Sequence, residues 1–314
     1  MKRNLYTSSF KNFFYRYILP YALCIVVFLI SFNFIIEKYV IGMSEGSGAY
    51  KVDRILYKDF ILETPILGSS RAEGSIFPDS LGKNYFNYGL AGAQDNVWIY
   101  FLEKELEKKH TTPILINFDL DGLSYGNGDV SNWLSNSFKS DIRVFFDEWK
   151  PIYIIPTLKH FGFFEKYFAN FLQEKFMVTG TINNGALLEN KFLLPAEFEM
   201  LIAQRKKEDV IFKNDTVLYN RLMKLLMSNS TREIVFFIPP YHESYLKSIK
   251  NLNDALLFLK NLENIPNVTV LNYCSFKFGQ KDYFNTTHLN YDGALKFTAI
   301  LKRDLINKRL IVEK

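Results

Sequence analysis

Pro65-Ile66-Leu67-Gly68-Ser69-Ser70-Arg71, the run PILGSSR at residues 65–71, decides how the chain is read. A short apolar run that stops at glycine and two hydroxyl residues marks a buried strand giving way to a helix. The same pattern recurs. Tyr85-Phe86-Asn87-Tyr88 stops at Gly89, Ile114 to Phe118 at Asp119, Ile234 to Ile238 at Pro239-Pro240, and Val268 to Leu271 is a fifth run. Between them lie helical patterns at Val97 to Lys109, Leu218 to Met227, Tyr245 to Leu262 and Gly293 to Ile306. Strands alternating with helices predict an α/β fold, a three-layer α/β/α sandwich around a mostly parallel sheet. In such sheets the ligand site lies outside the carboxyl ends of the strands, where these polar stops fall.

Ser70 follows the first strand where a helix begins, so its hydroxyl is exposed at the sheet edge and backbone N–H groups point at whatever it meets. The same placement suits an ordinary helix cap. A serine nucleophile needs a base. His288, in Asp282-Tyr-Phe-Asn285-Thr-Thr-His288-Leu-Asn290, sits in a polar loop just before the last helix. The other histidines, His110, His160 and His242, leave no pair at metal-ligand spacing, so no zinc site is expected. Asn87-Tyr88-Gly89-Leu90-Ala91-Gly92 places glycines just after a strand, where Gly92 can turn an N–H toward an oxyanion or simply make a turn.

A serine motif after the first strand, N-x-G-x-x-G after the second and a histidine motif near the C-terminus resemble the SGNH (GDSL-like) hydrolase superfamily across roughly residues 60–308. Gly68-Ser69-Ser70-Arg71, together with His288-Leu-Asn290 and Gly293-Ala294 behind an N-terminal apolar segment, resembles the membrane-anchored members that acylate cell envelopes, of the alginate O-acetyltransferase and teichoic acid D-alanyl transfer types. The resemblance implies that Ser70 is the nucleophile, His288 the general base, Asn285 the residue in the acid's position, and Gly92 with the Ser70 N–H the oxyanion hole. Ser69 stands where many members have Asp, and Arg71 is a candidate for binding a carboxylate or phosphate on the substrate. No cofactor is implied. The implied function is extracytoplasmic O-acyl transfer to an envelope or exported polysaccharide, with the acyl group delivered by a multi-pass membrane-bound O-acyltransferase partner. The alternatives are an esterase or deacylase, and a catalytically impaired scaffold or binding subunit.

Two positions depart from that pattern. Asn285 replaces the usual Asp three residues before the histidine, and an amide orients an imidazole without supplying charge for imidazolium. Asp282 and Asp292 are the nearby acids. After the third strand the chain reads Asn117-Phe118-Asp119-Leu120-Asp121, without the usual glycine-asparagine run. Asp119 and Asp121 read best as solvated loop residues, and Tyr241 as a wall of the pocket.

Ile18 to Ile36 is a 19-residue uncharged stretch, about 28 Å long as a helix and close to the hydrocarbon thickness of a bilayer. Lys2, Arg3, Lys11 and Arg16 precede it without an acid, so the positive-inside rule predicts a cytoplasmic tail at 1–16 and an uncleaved anchor at 17–38. A tether at 39–55 and an extracytoplasmic domain at 56–314 follow, the domain carrying a helical insertion or lid at about 125–215. Residues 1–38 carry five basic side chains against Glu37 alone, leaving 33 basic and 32 acidic beyond them. That balance leaves no basic patch for nucleic acid. Cys24 and Cys274 fall in different environments and are not expected to pair.

Overall fold

The computed structural model of the chain describes residues 10–35, 38–39, 45–124, 172, 180–190, 193–229 and 231–311. Phe10–Phe32 is helical, with none of its most apolar window buried, and is long and apolar enough to cross a membrane by length and composition. A short π-helical segment at Phe14–Ile18 leads into α1 (Leu19–Ile35).

The first element of the folded domain is α2 (Gly48–Tyr57). The tether expected at 39–55 is therefore too long by most of a helix. Ser47 is its N-cap, accepting from the Tyr50 amide at 3.2 Å, so the Ser-Gly pair that suggests a flexible linker instead starts a helix. Val52 and Ile55 bury fully, and Lys51 is 0% exposed.

β1 (Thr64–Leu67) is followed by α3 (Ser70–Ser75), a short α4 (Pro78–Leu81), β2 (Tyr85–Asn87), α5 (Asp95–Leu106), β3 (Ile114–Asn117) and β4 (Gly122–Leu123). Then come β5 (Gly180–Asn183), β6 (Ala186–Glu189), α6 (Pro195–Arg205), β7 (Lys213–Asn214) and α7 (Thr216–Ser228). β8 (Ile234–Ile238), α8 (Glu243–Ser248), α9 (Leu252–Leu262), β9 (Val268–Asn272) and α10 (Tyr291–Asn307) complete the chain. The predicted helix at Tyr245–Leu262 is thus two helices, α8 and α9, the second starting just after Asn251. That side chain bonds the Phe212 backbone at both its N–H and its carbonyl instead of continuing α8.

Five strands form one sheet in the order β2-β1-β3-β8-β9, every neighbouring pair parallel. Leu115 lies opposite Val235, and Ile116 opposite Phe236. Side-chain alternation sends successive strand residues to opposite faces. Ile114, Ile116, Ile234, Phe236 and Ile238 pack with α2, α5, α7 and α9. Leu115, Val235 and Phe237 pack with Ile76 just after α3 and with α4, β6, α6 and α10 on the other face. Both faces are covered, which is why β8 reads IVFFI with every residue buried.

The strand order reverses at β1, with β2 on one side and β3 on the other, so the crevice between the C-terminal ends of β1 and β3 is the topological switch point. The described part of the region expected to be a helical insertion also contains a β-hairpin, β5 with β6. Its turn places the Asn184 carbonyl on the Asn87 amide at 2.8 Å. The rest of that region, 125–171, 173–179 and 191–192, lies outside the described residues.

Candidate active site

The switch point is built around two glycines. Gly68 has φ +141°, and a Cβ there would sit 2.9 Å from Ala72 Cβ and from Asn117 Cβ. Gly89 would bring a Cβ within 2.6 Å of the Glu73 amide nitrogen. Bare backbone at both places lets α3 begin directly over the ends of β1 and β2. The Leu90 amide bonds the Gly68 carbonyl at 3.2 Å, continuing the strand pairing past the sheet.

Ser69 caps α3. Its Oγ accepts from the Arg71 amide at 3.2 Å and donates to Asp119 Oδ2 at 2.5 Å. Ser70, the first residue of the helix, has its Oγ 2.9 Å from His288 Nε2. These two side chains lie 218 positions apart in the chain, and parallel β1 and the loop before α10 bring them to one rim.

The tautomer of His288 follows from its other nitrogen. Asn285 Oδ1 accepts from the backbone amides of Thr287 at 2.8 Å and His288 at 2.9 Å, which fixes the oxygen rather than the NH2 at that position. Nδ1 lies 3.1 Å from the same oxygen and 3.0 Å from Thr287 Oγ1, whose hydroxyl donates to Asn285 Oδ1. Nδ1 therefore carries the proton, and Nε2 is left as the acceptor for the Ser70 hydroxyl. Burial first, then the nearby charges of Arg71 and Arg205, push the imidazole down to about 4. It is neutral at neutral pH.

Neither nearby acid reaches the imidazole. Asp282 is buried, but it accepts from the Gly279 amide and pairs with Lys296. Asp292 lies in the first turn of α10.

Asp119 corrects the sequence reading, because it is not solvated. It is 8% exposed and ion-paired with Arg71 at 2.7 Å. Asp121, whose side chain is 48% exposed, lies 3.2 Å from the same guanidinium nitrogen. Arg71 is 12% exposed at its side chain and packs against the rings of Tyr241 and Tyr245. Burial opposes its charge, but Asp119, Tyr241 and Asp121 hold it well above the ordinary guanidinium value. Burial pushes the Asp119 carboxyl up, Arg71 opposing and Asp121 adding to the rise. The arginine expected to meet a substrate anion is already paired at Nη1 with two protein carboxylates, while its buried Nε has no hydrogen-bond partner among the described residues. Tyr241 is 2% exposed and stacks on Tyr245, so it backs Arg71 rather than lining an open wall.

Gly92 lies in the exposed turn after β2, with φ +75° and open space where a Cβ would stand. The neighbouring Ala91 amide bonds Glu73 Oε2 of α3 at 3.2 Å, which fastens that turn to the helix that starts at Ser70. Lys51 joins the same knot, donating to Glu73 Oε1 at 2.5 Å and to the Gly89 carbonyl at 2.6 Å.

Three contributors escape sequence reading. Thr287 is the second partner of Nδ1. Arg205, at the end of α6, donates from Nε to Thr286 Oγ1 at 3.2 Å in the histidine's own loop. Asp95 lies behind Asp119, its carboxyl raised to about 7 by burial and then by that neighbour. Adjacency to the histidine is the signal that could have marked Thr287, whereas Arg205 and Asp95 arrive from distant segments without a motif. Among the described residues no group of three or more His, Cys, Asp or Glu side chains could hold a metal ion.

No protein-family model matches the chain, and no curated protein matches it. A solved structure from Streptococcus pneumonia, provisionally described as a platelet activating factor, is similar to it at 12% identity and a TM-score of 0.41, covering 86% of this chain and 96% of that one. An overlap that loose does not bear on the site.

Proposed function

We propose that the chain is a serine-dependent acyl-transfer enzyme in which Ser70 is the nucleophile and His288 the general base. The observation that carries this reading is the 2.9 Å contact of Ser70 Oγ with an Nε2 whose tautomer is fixed from behind by Asn285. The resemblance to SGNH hydrolases at Gly68–Arg71, Asn87–Gly92 and His288 supports the same roles.

The chemistry follows from the geometry. Oγ attacks the ester carbonyl while Nε2 takes its proton. The developing oxyanion falls toward the Ser70 amide and the turn at Gly92, whose N–H groups stabilise it. The tetrahedral intermediate collapses, the leaving alkoxide takes the proton from Nε2, and acyl-Ser70 remains. A second hydroxyl, from water or from a sugar, then gives its proton to Nε2 and takes the acyl group, while Nε2 returns that proton to the departing Ser70 Oγ. Transfer and hydrolysis differ only in that second hydroxyl.

We favour transfer to an envelope or exported polysaccharide, with an anchored chain, an extracytoplasmic domain and a multi-pass acyltransferase as donor. The membrane-length helix at Phe10–Phe32 and the resemblance to anchored acylating proteins support this choice.

The test uses the full chain in detergent micelles, a chromogenic acetyl ester, and an oligosaccharide acceptor present or absent. Ester cleavage and fluorophosphonate labelling that both vanish in Ser70→Ala, with acetyl groups appearing on the sugar, are the expected outcome. Cleavage without sugar acetylation reassigns the chain as an esterase. Absence of both cleavage and labelling removes the enzyme reading.

A further inference from the structure

The base of this site works in a field of the wrong sign. Proton transfer from Ser70 makes His288 an imidazolium, yet its Nδ1 partners are an amide and a hydroxyl, and the charged groups acting on it are the guanidinium ions of Arg71 and Arg205. The two arginines are not equivalent. Arg71 is enclosed by Asp119 and Asp121. Arg205 has a side chain 23% exposed, and among the described residues its carboxylate partner is Glu208, 40% exposed and screened by water. Among the described residues its Nη2 has no hydrogen-bond partner, while Nε is fixed on Thr286 and the guanidinium lies over the Tyr245 ring at 5.1 Å. A held, solvent-reachable fork with a spare donor, one residue from both side chains that clamp His288, is a receptor for an anionic oxygen group.

We propose that the substrate carries an anionic group, a carboxylate or a phosphate, close to its scissile ester, and that Arg205 receives it. The inference rests on the Ser70–His288 reading and deepens it by naming a substrate class. On binding, the anion cancels one of the two cations facing the imidazole and supplies the negative charge that Asn285 does not. The substrate thus does part of the work that an acid usually does in such sites. No further atom moves: Oγ bonds to the carbonyl carbon, its proton passes to Nε2, and the anion stays bound.

The test compares matched esters on the full chain in micelles. The carboxylate arm sets 4-nitrophenyl hydrogen succinate against its neutral methyl ester. The phosphate arm sets an O-acetylated sugar phosphate against the O-acetylated sugar. We expect kcat/KM to favour the anionic member by about tenfold or more in one arm, as a charge-assisted hydrogen bond allows. Arg205→Gln should cut that ratio about tenfold, and Arg205→Lys should restore part of it. A ratio near one in the native chain, or one unchanged in Arg205→Gln, overturns the proposal while leaving the serine chemistry intact. If no ester is cleaved and Ser70 is not labelled, the serine reading fails instead. Calorimetric titration with methyl phosphate then reads Arg205 directly, and equal binding by the native chain and Arg205→Gln overturns the anion site as well.

Discussion

Two loops at the same rim handle charge in opposite ways. After β3, Asp119 and Asp121 close on Arg71 and Ser69, so that full charges are used to lock the start of α3. Before α10, His288 is held by Asn285 and Thr287 without any charge. Carboxylate is abundant here but is placed beside the helix that begins at Ser70 rather than behind His288. The difference separates two jobs that an acid behind a catalytic histidine usually combines, fixing the ring and stabilising its cation. Here the ring is fixed, and its protonated form is disfavoured.

The largest expected effects test whether the neutral loop is catalytic at all. Ser70→Ala or His288→Ala should each lower ester turnover by roughly 10⁴-fold or more, with thermal unfolding little changed. Turnover that survives either change breaks the comparison. Next in size is the charged loop. Arg71→Met leaves Asp119 buried without its counter-ion, so urea unfolding should show a loss of about 3–5 kcal/mol. A loss below 1 kcal/mol would mean that the cluster is decorative. Asn285→Asp moves charge to the other side. It keeps every hydrogen bond that Oδ1 accepts and should raise turnover of a neutral ester about tenfold, as placing charge behind the ring allows. An unchanged rate would show that orientation alone matters.

The smallest effect is a matter of pH. With His288 down at about 4 against an ordinary 6.5, the acid limb of kcat/KM should fall near 4, and Asn285→Asp should raise it. The sign for stability follows from proton uptake. Between those two values the unfolded chain binds more protons than the folded one, so this histidine's contribution is complete above about pH 6.5 and is lost as pH falls toward 4.

Much of this was legible in the sequence. The alternation of apolar runs with helical patterns gave the layered sheet because parallel strands buried on both faces leave continuous signatures such as Ile234–Ile238. Ser70 and His288 stand out as candidates because each sits at a stop after or before a regular element. Asp119 was misread, since a carboxylate past a strand end looks the same whether water or a distant guanidinium faces it. The start of the domain was misread at Ser47, where one hydroxyl that caps a helix resembles one in a linker. Arg205 left no trace, because its proximity to the histidine is created by packing between α6 and α8, not by spacing.

The buried Lys51 has a mechanical consequence. It pins the first turn of α2 to Glu73 and the Gly89 carbonyl, at the strand ends that carry Ser70. The chain therefore enters the domain at the edge that carries Ser70, within ~20 Å of that serine by helix dimensions. From Ile36 to Ser47 there are 12 residues, and a chain of that length spans at most about 42 Å. Where α1 is seated in a bilayer, the domain hangs by its working edge.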